Sequence, residues 1–169
     1  MFWSFSNQII SYEYVNDPNA WVDVFGLAKA PSSLPNTAGV YIITNGNDSY
    51  VGSAGIGKQG MNKRTSKNTH INAQDLLKKD GTTVDYIKIN GLDNVKKGGE
   101  RSAKGNRNII LRYYEQQALD AQMANGKNMK NGRKKDGSVS RILSPENMIA
   151  AEKLIKKQNI TKGEKTSCS

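Results

Sequence analysis

Residues 39–52 read GVYIITNGNDSYVG, and they contain two β-prone runs on either side of a polar turn. With two residues in the loop, Tyr41 would lie opposite Gly52, and Tyr50 would share their face of the hairpin. A glycine opposite Tyr41 would leave room for a phosphate to approach the backbone closely. The sequence therefore predicts a β-hairpin with two phenol side chains and one open backbone position on the same face.

The rest of the chain predicts further elements of both kinds. Apolar periodicity and capping residues indicate a helix at residues 71–79, a strand at residues 82–90, a helix at residues 108–125, and a helix that Ser144 and Pro145 open and that ends near residue 157. Together with the hairpin, these elements predict an α+β fold in which helices flank a central three-stranded, mostly antiparallel sheet.

Composition at the two ends of the chain indicates the extent of the domain. Residues 1–35 hold both tryptophans and three of the four prolines without a sustained period, which is typical of an arm or linker. Residues 161–169 are polar and follow the last predicted helix, so we expect a flexible tail there. One domain would then cover residues 36–160.

The chain is strongly basic. Its 25 lysines and arginines exceed its 15 aspartates and glutamates, which gives a formal charge of +10 and a pI near 9.7. A field of this sign attracts polyanions, so nucleic acid is the expected partner. No apolar run reaches membrane-spanning length and the first residues lack the pattern of a signal peptide, so no membrane partner is expected.

The rarest residue types exclude several kinds of catalytic centre. Cys168 is the only cysteine, so an internal disulfide and a cysteine-ligated zinc site are impossible. His70 is the only histidine, which excludes a metal site with two histidines. Hydrolytic chemistry would therefore have to use carboxylate, tyrosine, lysine or arginine side chains.

Residues 52–59 read GSAGIGKQ and nearly fit the nucleotide-binding P-loop. Gln59 stands where that loop needs a serine or threonine to bind magnesium, and no later apolar strand ends in the aspartate of an ATPase site. We therefore expect a mobile glycine-rich loop beside the substrate, with Lys58 reaching a phosphate.

Five features, taken in chain order, resemble the GIY-YIG nuclease superfamily. They are the tripeptides Gly39-Val40-Tyr41 and Tyr50-Val51-Gly52, then Arg64, Glu115 and Asn131, the last with Asn125 and Asn128 as alternatives. The tripeptides are similar to the two motifs that name the family, and the single residues are similar to the arginine, glutamate and asparagine that follow them. The resemblance covers roughly residues 38–150 and implies the family's small α+β domain.

The resemblance also implies hydrolysis of phosphodiester bonds with a divalent metal. In that scheme Glu115 holds one Mg²⁺, for which Mn²⁺ could substitute, and Arg64 faces the charge that develops on the phosphate. Either Tyr41 or Tyr50 would accept the proton of the attacking water, which requires nearby cations to lower its pKa. Asn131 would hold the geometry. The candidate substrate contacts are Gly52, Lys58, Lys63 and His70.

A second resemblance concerns residues 12–27, which read YEYVNDPNAWVDVFGL. They resemble the junction that precedes the toxin domain in RHS-type polymorphic toxins, with the difference that Asp23 is followed by Val24 and Phe25, where that family has a second Asp-Pro. Together the resemblances imply an interbacterial toxin endonuclease, exported within a larger protein and delivered to the target-cell cytoplasm. Its expected partners are nucleic acid, DNA ahead of RNA, and an acidic immunity protein. The domain itself is expected to be a monomer.

Two other functions remain open on the sequence. A basic module could bind nucleic acid without cutting it, which predicts salt-dependent binding and no strand breaks. A GIY-YIG endonuclease could also serve repair, recombination or mobile DNA in its own cell. The stretch at residues 12–27 favours the toxin.

Overall fold

The computed structural model describes residues 34–55, 60–66, 71–95, 104–132 and 134–168 of the chain. The predicted arm therefore lies outside the described residues except at its end. There Leu34 is 2% exposed and packs into a hydrophobic cluster beneath the sheet. Leu34 thus belongs to the core, ahead of the predicted start of the domain at residue 36.

The described part of the chain contains five strands and four α-helices. The strands are β1 (Gly39–Asn45), β2 (Asp48–Ala54), β3 (Thr83–Asn90), β4 (Asn128–Met129) and β5 (Thr161–Cys168). The helices are α1 (Met61–Ser66), α2 (Ile71–Leu77), α3 (Lys104–Ala124) and α4 (Pro145–Lys157), with a 3-10 turn at Leu92–Asn94. The predicted α+β class is confirmed. No helix among the described residues is long and apolar enough to cross a bilayer.

The hairpin forms as predicted. β1 and β2 pair antiparallel, with Tyr41 opposite Gly52 and Ile43 opposite Tyr50. Gly46 closes the turn with a φ of 55°, a left-handed conformation that glycine adopts without a steric penalty. Because side chains alternate along a strand, both tyrosines project from the same face of the sheet.

The sheet has five strands where the sequence predicts three. Their order is β4-β2-β1-β3-β5, with β4 parallel to β2 and all other neighbours antiparallel. β4 has only two residues, which is too short for any period to be seen in the sequence. β4 nevertheless covers the start of β2 and leaves the rest of that edge without a neighbouring strand in the described part of the chain.

β5 is formed by the segment predicted to be a flexible tail, so that prediction is wrong. The strand pairs with β3 along most of its length. It is exposed at nearly every position, and it is held by backbone pairing and by polar contacts instead of an apolar face. Asp85 of β3, for example, accepts hydrogen bonds from Lys165 Nζ at 2.9 Å and from Ser167 Oγ at 2.5 Å. A strand of this kind has no hydrophobic alternation that could reveal it.

Helices cover both faces of the sheet. On one face, Val40, Ile42 and Val51 pack against α3, and α4 packs on α3. On the other face, Tyr41 and Ile43 pack against α1 and α2. The central strand β1 is therefore buried on both sides, which explains why it reads as an almost continuous apolar run.

The predicted start of α4 is confirmed. Ser144 caps the helix by accepting a hydrogen bond from the Asn147 N–H at 3.4 Å, and Pro145 occupies the first turn. Tyr113 of α3 donates to Glu152 of α4 at 3.1 Å. This contact helps to fix α4 on α3, the helix that carries the candidate carboxylate.

Candidate active site

The two hairpin tyrosines lie side by side. Their ring centroids are 6.4 Å apart and their planes are 26° from parallel. Tyr41 is 1% exposed, whereas Tyr50 is only partly buried. Gly52 lies beneath the Tyr41 ring, and a Cβ at that position would overlap the phenol end of the ring. The prediction that Gly52 leaves an open approach for a phosphate is therefore wrong, because its cross-strand partner fills the space.

Arg64 reaches the tyrosines from α1, a short helix that packs on β1 and β2. The positive charge of Arg64 lowers the pKa of Tyr41 and of Tyr50. The Nε atom of Arg64 is buried and has no hydrogen-bond partner among the described residues. An unsatisfied buried donor is costly, and an anionic acceptor would satisfy it with a charge-assisted hydrogen bond.

Glu115 projects from the middle of α3 towards β2. Ser53 Oγ donates a hydrogen bond to Glu115 Oε2 at 2.6 Å. Ser53 is out of phase with Tyr50 along β2, so its side chain points to the α3 face of the sheet. Burial raises the pKa of Glu115, while the hydrogen bond from Ser53 and the charges of two nearby arginines, Arg112 and Arg64, act in the opposite direction.

The two tyrosines project from one face of the sheet, whereas Glu115 contacts β2 from the other face. The negative charge of Glu115 raises the pKa of Tyr41 and of Tyr50, and the positive charge of Arg64 lowers the pKa of all three groups. Charge interactions weaken with distance and with screening by water, so these four groups are near enough to influence one another. Four of the five predicted catalytic residues therefore interact electrostatically, with the phenols on one face of the sheet and the carboxylate on the other.

Asn131, the fifth, binds the backbone of the same edge. Its Oδ1 accepts a hydrogen bond from the Val51 N–H at 3.0 Å, and its Nδ2 donates to the Val51 carbonyl at 2.7 Å. The amide thereby takes the place of a neighbouring strand. Of the two alternatives, Asn128 donates to Asp48 at the start of β2, and Asn125 is exposed just beyond the end of α3. Asn131 is therefore a positioning residue that fixes β2 next to the tyrosines.

The remaining predicted substrate contacts are not part of the described site. Lys58 and His70 lie outside the residues that the structure describes. Lys63 precedes Arg64 in α1, but its side chain is also outside the described part. The predictions for these three residues stay predictions.

The pKa of both hairpin tyrosines is raised above its ordinary value. Burial is the largest cause at Tyr41 and at Tyr50, and the neighbouring negative charge of Glu115 adds to it. A phenol that accepts a proton at neutral pH needs a lowered pKa, so the shift runs against the predicted role of general base. In this environment both phenols are neutral and able to donate hydrogen bonds.

Sequence reasoning missed two residues that hold the site together, Ser53 and Gln116. Gln116 is 1% exposed, donates to Asp120 at 2.7 Å and accepts from the Ile142 N–H at 2.6 Å. The parity of the hairpin could have assigned Ser53 to the α3 face, since it follows Gly52 directly. No local pattern indicates Gln116, because its partner lies 26 residues further along the chain.

The site offers one carboxylate to a divalent metal. No group of three or more histidine, cysteine, aspartate or glutamate side chains that could hold a metal occurs in the described part of the chain. Mg²⁺ is commonly held by one or two carboxylates and keeps water and phosphate oxygens in its other positions. Glu115 accepts a hydrogen bond from the described residues only at its Oε2 atom, which leaves its Oε1 atom available to a metal. The donor set therefore fits Mg²⁺.

The fold and the site together define a small α+β protein in which two tyrosines, an arginine and a glutamate interact electrostatically across strands β1 and β2. Comparisons of the chain with protein-family models, with curated proteins and with solved structures find no match. The chemistry of the chain's own residues is therefore the basis for a function.

Proposed function

We propose that this protein is a metal-dependent endonuclease of the GIY-YIG type. The observation that carries the proposal is the buried Nε of Arg64, which has no acceptor among the described residues and whose charge acts on two tyrosines and a half-buried carboxylate. A phosphate would supply that acceptor, and phosphodiesters are the ligands that a protein of this charge attracts. An arginine with a purely structural role is usually satisfied by the fold itself.

Arg64 would bind the non-bridging oxygens of the scissile phosphate. Its guanidinium is a planar fork whose donors match two oxygens at once. The packing of α1 on β1 and β2 holds the fork in place before the substrate arrives. A preorganised positive group of this kind stabilises the charge that grows on the phosphate during hydrolysis.

Tyr50 is the phenol that a substrate can contact, because it is partly exposed while Tyr41 is 1% exposed. We assign Tyr50 as a hydrogen-bond donor to the phosphate. Tyr41 acts through Arg64 and is a positioning residue. A base role for either phenol requires the bound cation and Arg64 to reverse the effect of burial on its pKa.

Glu115 would hold Mg²⁺ through its carboxylate. When bound, the metal neutralises charge on the phosphate oxygens. The chain contributes the orientation of the carboxylate, through Ser53, and a partly desolvated place in which charge interactions are stronger than in water. Mn²⁺ accepts the same oxygen ligands and could replace Mg²⁺.

We place this nuclease in an interbacterial toxin. The basis is the resemblance of residues 12–27 to the junction of RHS-type toxins, a segment that lies outside the described residues. In that setting the domain is exported within a larger protein, acts in the target-cell cytoplasm on DNA ahead of RNA, and is inhibited by an acidic immunity protein. The domain would act as a monomer.

The proposal predicts cleavage that depends on a divalent metal. The protein should cut supercoiled plasmid DNA in Mg²⁺ or Mn²⁺, and EDTA should reduce the rate to background. Mg²⁺ added in excess of the EDTA should restore cleavage, which controls for irreversible unfolding. Total RNA in a parallel assay tests the substrate class. Salt-dependent binding of both nucleic acids with no strand breaks in Mg²⁺ would favour the non-catalytic binding module instead.

The hydrogen bond from Ser53 predicts a second measurable effect. Ser53→Ala should slow cleavage by about tenfold or more, because a hydrogen bond to a charged group contributes roughly 1.5–3 kcal/mol. The half-saturating Mg²⁺ concentration should rise as well, since the lost contact orients Glu115. Initial rates over a Mg²⁺ series measure both quantities.

Two further variants separate the effect of Ser53 on the orientation of Glu115 from any effect on the stability of the fold. Ser53→Thr keeps the hydroxyl and should retain most of the activity. Ser167→Ala is the matched control, because Ser167 Oγ also donates to a carboxylate, that of Asp85, at the opposite edge of the sheet. An unchanged Mg²⁺ requirement in Ser53→Ala would contradict the assigned role.

A further inference from the structure

A polar segment links the two elements that carry the site. We call residues 131–142 the strap; its residue 133 lies outside the described part. At one end, Asn131 holds Val51 of β2 through two hydrogen bonds of 3.0 and 2.7 Å. At the other end, the Ile142 N–H donates to Gln116 of α3 at 2.6 Å. Val51 is two residues before Ser53 in β2, and Gln116 follows Glu115 in α3. Ser53 and Glu115 form the hydrogen bond that orients the candidate carboxylate.

Between its anchors the strap forms a tight turn with its own hydrogen bonds. The Lys134 N–H donates to the Ser138 carbonyl at 2.8 Å, and the Gly137 N–H donates to the Lys134 carbonyl at 3.0 Å. Asp136 Oδ1 accepts from both the N–H and the hydroxyl of Ser138, at 2.9 and 2.6 Å. The turn is exposed throughout, so these bonds order its backbone without any contribution from apolar burial.

The strap presents two exposed cations, of which Lys134 also interacts through its charge with Asp136 of the same turn. Lys134 and Lys135 are exposed, and the Nζ atom of neither forms an ion pair or a hydrogen bond with a described residue. Two lysines just before the strap differ in this respect. Lys127 donates to a carbonyl of the hairpin turn at 2.9 Å, and Lys130 pairs with a carboxylate of β2 at 3.1 Å.

We infer that the strap is a second contact surface for nucleic acid, on which Lys134 and Lys135 bind the sugar–phosphate backbone outside the scissile phosphate. The inference rests on the proposed function, because it takes a nucleic acid as the ligand. Contacts of this type position a nucleic acid without reading its sequence. An ordered turn loses little conformational entropy on binding, and anchors on both β2 and α3 hold the bound strand in register with the site.

The salt dependence of binding tests the inference. Anisotropy of a labelled DNA duplex and of a labelled RNA duplex, measured in EDTA so that nothing is cut, gives Kd over a salt series. In the double variant Lys134→Gln/Lys135→Gln the slope of log Kd against log salt on DNA should fall by about 1.8, since each phosphate contact contributes about 0.9. The same pair of changes should raise KM for cleavage and leave kcat almost unchanged.

A matched double variant controls for net charge. Lys156→Gln/Lys157→Gln removes the same charge from the exposed last turn of α4 and should leave the slope as in the wild type. Equal slopes in the two double variants, or an unchanged slope in the strap variant, would overturn the inference even if the protein cleaves DNA. A reduced slope confined to the strap variant would support the strap even if no strand breaks are found, in which case only the assignment of a nuclease fails.

Discussion

Glu115→Gln should reduce metal-dependent cleavage on the order of 10³-fold while the protein stays folded. The substitution removes the one carboxylate that the described site offers to a metal. It keeps the shape of the side chain, and its amide oxygen can still accept the hydrogen bond from Ser53. Initial rates on plasmid DNA at saturating Mg²⁺ measure the effect.

Glu115→Gln should lower the activity without lowering the stability of the fold. Burial raises the pKa of Glu115 in the folded chain, so the unfolded chain releases this proton at lower pH than the folded chain does. The wild type therefore loses stability as pH rises from the ordinary carboxyl pKa through the raised one, whereas the glutamine variant has no such loss. Thermal unfolding should show Glu115→Gln to be at least as stable as the wild type at neutral pH.

Glu164→Gln is the matched control, since Glu164 is exposed on β5 at the far edge of the sheet. It should cleave at the wild-type rate. Wild-type cleavage by a folded Glu115→Gln protein would remove the basis of the proposed mechanism. A drop in activity together with a lower melting temperature would also contradict the account, because it would assign Glu115 to the fold instead of the chemistry.

Arg64→Ala should lower kcat by on the order of 10²–10³-fold. The substitution removes the guanidinium that would bind the phosphate in the proposed mechanism, and with it the positive charge that lowers the pKa of Tyr41 and of Tyr50. The buried Nε has no partner to lose within the described residues, so we expect a smaller effect on stability than on rate. Single-turnover cleavage and thermal unfolding, measured on one preparation, give the two quantities.

Two companions make the test of Arg64 specific. Arg64→Lys retains the charge without the planar fork, and it should recover only part of the lost rate. Lys153→Ala removes an exposed cation of α4 and should leave kcat unchanged. Full recovery by Arg64→Lys would show that a point charge suffices, and loss of kcat in Lys153→Ala would show that net charge alone is responsible.

Two features of the proposed site are unfavourable for the stability of the fold. Glu115 is held in a place that disfavours its charge, and the buried Nε of Arg64 has no acceptor among the described residues. Each is unfavourable in the isolated molecule and favourable once a cation and a phosphate are present. Buried charges and unsatisfied donors that destabilise the free protein are common where a protein binds or converts a ligand.

Local information in the sequence was sufficient for the hairpin and for the ends of α4. The register that places Tyr41 opposite Gly52 follows from the length of the turn and from the period of two along a strand. The start of α4 follows from Ser144, whose side chain satisfies a free N–H of the first turn. The choice of Glu115 also came from the sequence, by its place in a resemblance and near the apolar stripe of α3.

Features that join distant parts of the chain could be seen only in the tertiary structure. β5 pairs with β3 through its backbone, and Gln116 accepts from an N–H far along the chain, so neither has a local pattern of apolar residues. The same holds for the space above Gly52, which the Tyr41 ring fills, and for the contact of Glu115 with Ser53 of β2. The periodicity of apolar residues indicates which face of a helix or strand is buried. Backbone pairing and long-range polar contacts depend instead on which distant segment of the chain packs against that element.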